Sequence, residues 1–442
     1  MKKIFVIGAG RSAVILIKYL LDNSIDNNWK IIVADFSEEL AKKVVGTHPN
    51  GVAIYFDVTD ENQRFSMISD SDIIISMLPA SMHISVAIDC IKLKKNLVTA
   101  SYVSDKMADL NEFAINSGVL LLNEMGLDPG IDHMSAMKVI DDIKMDGGKL
   151  ISFKSYCGGL VHPDYDNNPW NYKFTWNPRN VVLAGQGTAQ YIKNGKYKFI
   201  PYHKLFNRLD NIKVLGAGEF EGYPNRDSLS YRKKYGLENI PTMLRGTLRR
   251  QGYCKSWNIF VQLGMTDDSF IIENKYNMTY REFTNLFFPY DEFNSVEQKF
   301  CDYLSISINS NEFKKIEWLG LFSDDIIKAK RVSPAKVLQS LLEKKWSLKP
   351  EDKDMIVMQH QFEFLKEEKN NKLYSSLVVS GEDSVNTAMA KTVGLPVAIA
   401  TKLILNGEID SVGVQIPTKK NIYVPVLREL AENGIKFSDK LI

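Results

Sequence analysis

A chain of 442 residues is too long for one compact core and points to two or three domains. Its 55 Lys+Arg against 53 Asp+Glu leave a net charge of +2, which gives no electrostatic reason to expect nucleic acid or an anionic membrane as a partner. Small molecules and other subunits are the partners this balance leaves.

Residues 4–13 read Ile-Phe-Val-Ile-Gly-Ala-Gly-Arg-Ser-Ala, an apolar strand running into a G-x-G-x-x-A turn. Gly8 permits the tight turn and Gly10 lets the backbone approach a pyrophosphate. The helix that follows, with Val14, Leu16, Ile17 and Leu20 on its apolar face, aims its N-terminal amides at that negative charge. The next apolar strand ends on Asp35, 25 residues past Gly10 and close to the spacing of about 20 at which an acid meets the adenosine ribose hydroxyls. A carboxylate there repels a 2′-phosphate, so NAD is expected over NADP. Lys2 and Lys3 precede only a short apolar run, which reads as a first strand and not as an export signal, and no apolar run approaches membrane-spanning length.

Further short runs rich in Ile, Val and Leu follow at residues 52–56, 73–77, 97–99 and 119–122, separated by helical segments. This alternation predicts an α/β fold, a Rossmann-type doubly wound parallel sheet with ligands beyond the carboxyl ends of its strands. Gly126-Leu127-Asp128-Pro129-Gly130 breaks the alternation, and a second, mixed α/β domain is expected from there. It is loop-rich, with strand-like runs at 151–156 and 181–183. Residues 253–349 carry helix starts, a Thr279/Glu282 capping box and Ser333-Pro334, and predict a small helical lobe. Residues 355–364 and 374–379 read as strands joined by a polar turn at 366–372, and 387–405 as a helix. The expected division is 1–125 plus about 386–442, 126–252 plus about 350–385, and 253–349.

The residues that could carry chemistry sit at the expected strand ends. Ser101 and Tyr102 follow the fifth strand, where hydroxyls would face the nicotinamide. Asp128 precedes Pro129 at a helix start, so it reads equally as an N-cap or as a carboxylate for a substrate ammonium. Cys157, ahead of Gly158-Gly159, is placed at a strand end. Arg226, Arg245 and Arg249 are read in loops, as surface ion pairs or as forks for a polycarboxylate substrate. The six histidines, His48, His83, His133, His162, His203 and His360, have no ligand spacing and are read as surface or satisfied core groups, so no metal is expected. Cys90, Cys157, Cys254 and Cys301 lack C-x-x-C or zinc spacing and read as the reduced thiols of a cytoplasmic protein.

Longer blocks carry a resemblance. Ile75-Ser76-Met77-Leu78-Pro79, Val98-Thr99-Ala100-Ser101-Tyr102, the run from Asn123 to His133, Ser155-Tyr156-Cys157-Gly158-Gly159, Tyr172-Lys173-Phe174-Thr175-Trp176, residues 222–228, Arg245-Gly246-Thr247-Leu248-Arg249, residues 317–323 and residues 393–402 together resemble saccharopine dehydrogenases of the L-glutamate-forming type. The resemblance implies an NAD(P)-dependent enzyme that interconverts saccharopine with L-glutamate and 2-aminoadipate 6-semialdehyde, and a homodimer formed through the second domain. It implies cofactor contacts from Gly10, Arg11, Ser12, Ala13, Asp35, Phe36, Asp57, Val58, Leu78, Ala100, Ser101, Leu127, Asp128, Pro129 and Asn177. The amino-acid substrate would meet Ser101, Tyr102, Asp128, Arg226, Thr247, Leu248 and Arg249. NADP-using members resemble a Cys-Arg-Thr sequence where this chain has Ala34-Asp35-Phe36, which favours the NAD-using, lysine-degrading branch. Asp128 and Tyr102 are the expected proton-transfer groups, with Cys157 third. Two other readings remain, a carboxynorspermidine-type dehydrogenase and a non-catalytic NAD-binding sensor.

Overall fold

The computed structural model describes residues 1–274 and 277–442. They form two compact units, Met1–Leu150 with Phe364–Asn371 and Val379–Leu441, and Ile151–Glu363 with Lys372–Val378 and Ile442.

The first unit is built on strands β1 (Lys2–Ile7), β2 (Trp29–Asp35), β3 (Gly51–Tyr55), β4 (Ile73–Ser76), β5 (Asn96–Thr99) and β6 (Leu120–Leu122). With Gly413–Gln415 they form a sheet in which Gly413–Gln415 is followed by β6, β5, β4, β1, β2 and β3, and every pairing is parallel. Runs such as Ile73-Ile74-Ile75, fully buried on both faces, suit a sheet covered by helices on each side. Strand order reverses at β1, and a crevice opens at such a point beyond the strand ends.

The C-terminal segment completes this unit. Helix Ala388–Leu405, capped by Thr387, lays Gly394 against the start of helix Val14–Asp22. It has the length and apolarity of a membrane span, contrary to the sequence expectation that no run approaches one, but 72% of it is buried within the protein. Helix Ile131–Met145 also belongs to this unit, fixed by a 2.5 Å hydrogen bond from the Tyr423 hydroxyl to Asp141. This compact unit therefore extends to Leu150.

The second unit carries β7 (Lys149–Val161), β8 (Ala189–Lys193), β9 (Lys196–Ile200), β10 (Asp210–Val214), β11 (Gly218–Pro224) and β12 (Thr242–Arg250). The sheet runs β10, β11, β12, β7, then Asp354–Lys366 and Lys369–Ser380, with β12 antiparallel to β11 and parallel to β7. Asp354–Lys366 and Lys369–Ser380 are joined through Glu367 and Glu368 alone, at φ +49° and +61°, much tighter than the turn expected over 366–372. Both central residues at positive φ give the turn whose twist matches a hairpin. Residues 181–183 are helical, in Pro178–Leu183, because Asn177 caps and Pro178 opens a helix that their β-branching alone would disfavour.

The helices expected within 253–349 lie in the same unit as this sheet. They share one aromatic core with the sheet, in which Trp170 stacks on Phe260 at 5.7 Å and Tyr253 on Trp257 at 5.7 Å.

The close approach at Gly394 gives a test of the first unit. A Cβ there would lie 2.9 Å from the Leu16 backbone nitrogen and 3.2 Å from the Ser12 carbonyl oxygen. Gly394→Ala should cost about 1–3 kcal/mol by overpacking and push the Ser12–Leu16 backbone outward. A lowered thermal midpoint together with weakened dinucleotide binding is the expected result.

Candidate active site

Each unit has its own cluster. In the first, Gly8 has φ +103°, and a Cβ on it would come within 3.0 Å of the Met77 carbonyl oxygen. A Cβ on Gly10 would meet no protein atom within 4 Å. The second glycine is therefore not required by the protein's own packing. What it leaves open is the close approach that a pyrophosphate needs beside the turn Arg11–Ala13, in which Ser12 is half-buried and Ala13 buried.

Asp35 fixes this loop. Its Oδ2 accepts from the Ala9 amide at 2.8 Å and its Oδ1 from the Ser37 amide at 2.8 Å. The carboxylate is thereby locked at the end of β2. Beside it the exposed ring of Phe36 lies 5.5 Å from that of Tyr55. Asp57 accepts from the Thr59 amide and hydroxyl, bonds that hold its carboxyl below the usual range. Val58 is buried in the apolar core, and half-buried Leu78 packs against the same cluster.

At the ends of β4 and β5 lies a chain of hydrogen bonds that sequence reasoning missed. His83 Nδ1 is 2.8 Å from Ser76 Oγ, and its Nε2 is 2.7 Å from Ser101 Oγ. Burial pushes the imidazole down to about 4, so it is neutral at pH 7.

Ser101 leads to Tyr102, whose hydroxyl donates to Asp128 Oδ1 at 3.1 Å. From Val119 to Met137 every residue is buried except Asp128, and neighbours Leu127 and Pro129 are sealed within the loop. Asp128 is not a helix cap, because the helix begins at Ile131 with Gly130 as its N-cap residue. Beneath the loop, buried Glu124 accepts from the Val103 amide at 3.1 Å and pairs with His133 Nε2 at 2.8 Å. His133 Nδ1 lies 3.4 Å from Asp132. Ala100 lines the loop from the strand side, where a Cβ on Gly126 would touch its Cβ at 3.1 Å.

The second unit's cluster lies on one face of its sheet. Register sets Tyr223 opposite Thr247, Thr247 opposite Cys157, and Glu221 opposite Arg249. Arg245 and Arg249 are thus in a buried strand and not in loops, and Cys157 is mid-strand and not at an end. Arg249 is 5% exposed, and its guanidinium lies 5.1 Å from the ring centre of Tyr172, 5.4 Å from Tyr253 and 5.9 Å from Tyr223. Its Nη1 donates to the Leu248 carbonyl at 2.9 Å, and its Nε has no partner among the described residues. Glu221, the carboxylate that register places across from it, instead accepts from the amides of Gly252 and Cys254. Burial raises the phenols of Tyr172, Tyr223 and Tyr253, against the opposing effect of Arg249, so they stay neutral and do not balance its charge.

The remaining expected residues separate from these. Leu248 points into the apolar core on the opposite face, where it joins Tyr156 and Leu244, so only its backbone is left to meet a ligand. Arg226 is exposed at φ +47° beyond β11. Asn177 is exposed in the second unit, where its side chain caps Pro178–Leu183.

Residues 4–122 match the saccharopine dehydrogenase NADP binding domain, and residues 126–435 match the saccharopine dehydrogenase C-terminal domain. The chain belongs to the saccharopine dehydrogenase family. Its first unit is accordingly a nicotinamide-dinucleotide-binding domain. It is 34% identical over 451 residues to the saccharopine dehydrogenase [NADP(+), L-glutamate-forming] of Schizosaccharomyces pombe, covering 100% of this chain and 99% of that one. It is 35% identical over 458 residues to the mouse mitochondrial alpha-aminoadipic semialdehyde synthase, covering 99% of this chain but 47% of that protein. The chain thus spans about half the length of the mouse relative and nearly all of the fungal one. The solved structure of an apo, histidine-tagged saccharopine dehydrogenase (L-Glu forming) from Saccharomyces cerevisiae superposes with a TM-score of 0.90 at 31% identity, each chain covered completely. A homospermidine synthase from Legionella pneumophila, at 9% identity and a TM-score of 0.57, shares the fold alone.

Within this saccharopine dehydrogenase fold, His83 gives a pH test. Between its ordinary 6.5 and about 4 the unfolded chain takes up a proton that the folded chain refuses. Its contribution to stability is complete above pH 6.5 and is lost as the pH falls toward 4. Denaturant titrations at pH 7.5 and 4.5 should show wild type losing about 2–3 kcal/mol more than His83→Asn over that interval. Equal losses would mean that the imidazole takes up its proton in the fold as readily as in the unfolded chain.

Proposed function

We propose that this chain is an oxidoreductase acting on a secondary amine, interconverting saccharopine, NAD(P)+ and water with L-glutamate, 2-aminoadipate 6-semialdehyde and NAD(P)H. The observation that carries the substrate reading is Arg249, a buried guanidinium with no carboxylate against it among the described residues. Leaving a buried cation unpaired costs several kcal/mol, and a substrate carboxylate would supply the missing charge. A carboxynorspermidine-type substrate would also bring a carboxylate, but full-length relatives named for saccharopine do not favour that reading.

When bound, the nicotinamide supplies the acceptor for the hydride that leaves the carbon next to the secondary amine. That carbon releases hydride only if the amine nitrogen is neutral, so a base must first take its proton. Asp128 is suited to this, as the one solvent-reaching carboxylate in an otherwise buried loop. Tyr102, hydrogen-bonded to it, fixes its orientation. The imine then adds water. Asp128 and Tyr102 carry the proton from the attacking water and return it to the amine as the carbinolamine C–N bond breaks, which yields glutamate and the aldehyde. Thr247 and Arg249 would hold the substrate carboxylate, Arg226 a second one, and Cys157 remains a third candidate for proton transfer.

Asp35 favours NAD, although the fungal relatives are named for NADP(+). A degradative role, a homodimer and a cytoplasmic location complete the proposal, and these rest on the family resemblance and the thiol pattern alone.

Absorbance at 340 nm with saccharopine, in parallel with NAD and with NADP, tests this reading. Reduction of NAD is expected, with Asp128→Asn lowering kcat by about 10²–10⁴. Arg249→Met should raise the KM for saccharopine by 30-fold or more, the about 2–5 kcal/mol of a buried charge pair. Near-normal turnover in both Asp128→Asn and Tyr102→Phe would remove the side-chain acid/base assignment, and dinucleotide binding without turnover would return the sensor reading.

A further inference from the structure

We infer that Ser76 holds His83 in its Nε2–H tautomer and thereby turns the Ser101 hydroxyl into a hydrogen-bond donor aimed at an oxygen atom of a bound ligand. The inference deepens the proposed function, because it rests on the reading that the end of β5 meets cofactor or substrate.

The protons along the chain of hydrogen bonds are fixed from its buried end. Ser76 has no exposure, and its Oγ has one hydrogen-bond partner among the described residues, His83 Nδ1 at 2.8 Å. A buried hydroxyl proton without an acceptor is costly, so Ser76 donates to Nδ1, and Nδ1 carries no proton. A neutral imidazole has one ring proton, which must then sit on Nε2. That nitrogen lies 2.7 Å from Ser101 Oγ, so it donates to Ser101. With one lone pair occupied by His83, Ser101 is left to direct its own proton elsewhere. Its residue is half-buried while His83 is 3% exposed, so the open direction is away from the histidine.

One competitor exists. Thr99 Oγ1 is 3.4 Å from the same Nε2 and accepts from the Ser101 amide at 3.3 Å. In the opposite tautomer Thr99 or Ser101 would donate to Nε2, and Ser76 would lose its acceptor. A 2.8 Å contact outweighs one at 3.4 Å, at the edge of hydrogen-bonding distance, so the Ser76 bond decides. Ser76 and His83 are positioning residues here, since they act through Ser101. The acceptor is a carbonyl or carboxylate oxygen, from the cofactor's carboxamide or from a substrate carboxylate.

The tautomer is read directly by long-range 1H–15N correlation spectra of 15N-histidine-labelled protein at pH 7.5. His83→Asn identifies the His83 signals among the six histidines. A protonated Nε2 and bare Nδ1 are expected, with Ser76→Ala shifting them toward the other tautomer or an average. A protonated Nδ1 in wild type, or a Ser76→Ala spectrum unchanged at His83, overturns the inference, and neither readout depends on saccharopine turnover. The donor role is read separately from Ser101→Ala, which should raise one ligand's KM or dissociation constant about tenfold, one hydrogen bond's worth. A rise confined to the dinucleotide assigns the carboxamide, and one confined to the amino acid assigns a carboxylate. No rise for either, with the tautomer as expected, removes the donor role.

Discussion

A turn that is buried must pair its own backbone, and residues 119–137 impose that constraint on the whole dinucleotide-binding unit. All but Asp128 are buried, so water cannot serve their amides. Protein groups do so instead. The amides of Glu124 and Met125 donate to the carbonyls of Ser101 and Thr99, that of Gly126 to Pro129, and those of Ile131 and Asp132 to Gly126 and Leu127. The Gly130 amide goes to the Asp132 carboxylate at 2.6 Å. These bonds need Gly130 at φ +146°, where a Cβ would sit 2.1 Å from the Gly126 carbonyl oxygen. A loop so extensively paired resists relaxing around its one half-buried carboxylate. The same bonds clamp the end of β5, and with it Ser101 and Tyr102, to the loop that presents Asp128.

Burial has opposite effects on the ionisable groups of the two units' clusters. It keeps His83 neutral and raises the tyrosines around Arg249, whereas a guanidinium is too basic to escape by losing its proton. The charge at Arg249 is therefore permanent. Three aromatic faces within 6 Å soften its desolvation, each contact worth about 0.5–2 kcal/mol. The carboxylate best placed to neutralise it is committed to the start of helix Tyr253–Leu263. Among the described residues no carboxylate pairs with Arg249, which favours a ligand that brings a carboxylate over a neutral one.

The parts of this structure legible in the sequence are those set by local pattern. Continuous Ile, Val and Leu runs marked β1 to β6, and Thr279 with Glu282 marked a capping box that both partners complete. Illegible were the features decided by distant residues. Arg-Gly-Thr-Leu-Arg-Arg is too polar to read as a buried strand until Tyr172, Tyr223 and Tyr253 supply the cage around Arg249. The hairpin turn at Glu367-Glu368 has no glycine to announce it. His83 looked like an ordinary isolated histidine, because its partners are 7 residues back and 18 ahead and meet it only where β4 and β5 lie side by side. The cap reading of Asp128 arose because Asp-Pro so often opens a helix, but here the chain spends two further residues in the paired loop before Ile131.

Asp35 shows why cofactor choice at such a position is hard to change one residue at a time. A carboxylate at the end of β2 would repel a 2′-phosphate, and an arginine would attract it. On that ground alone, exchanging one for the other should convert preference. Yet both oxygens of Asp35 also accept backbone amides, from Ala9 inside the glycine loop and from Ser37 at the cap of helix Glu38–Val45. An arginine has donors only and would leave both amides without their acceptor. The glycine loop would then lose the bond that fixes its position for any dinucleotide. Charge at this residue and order in the neighbouring loop are one property, so a chain that recruits the phosphate must find another group to hold Ala9.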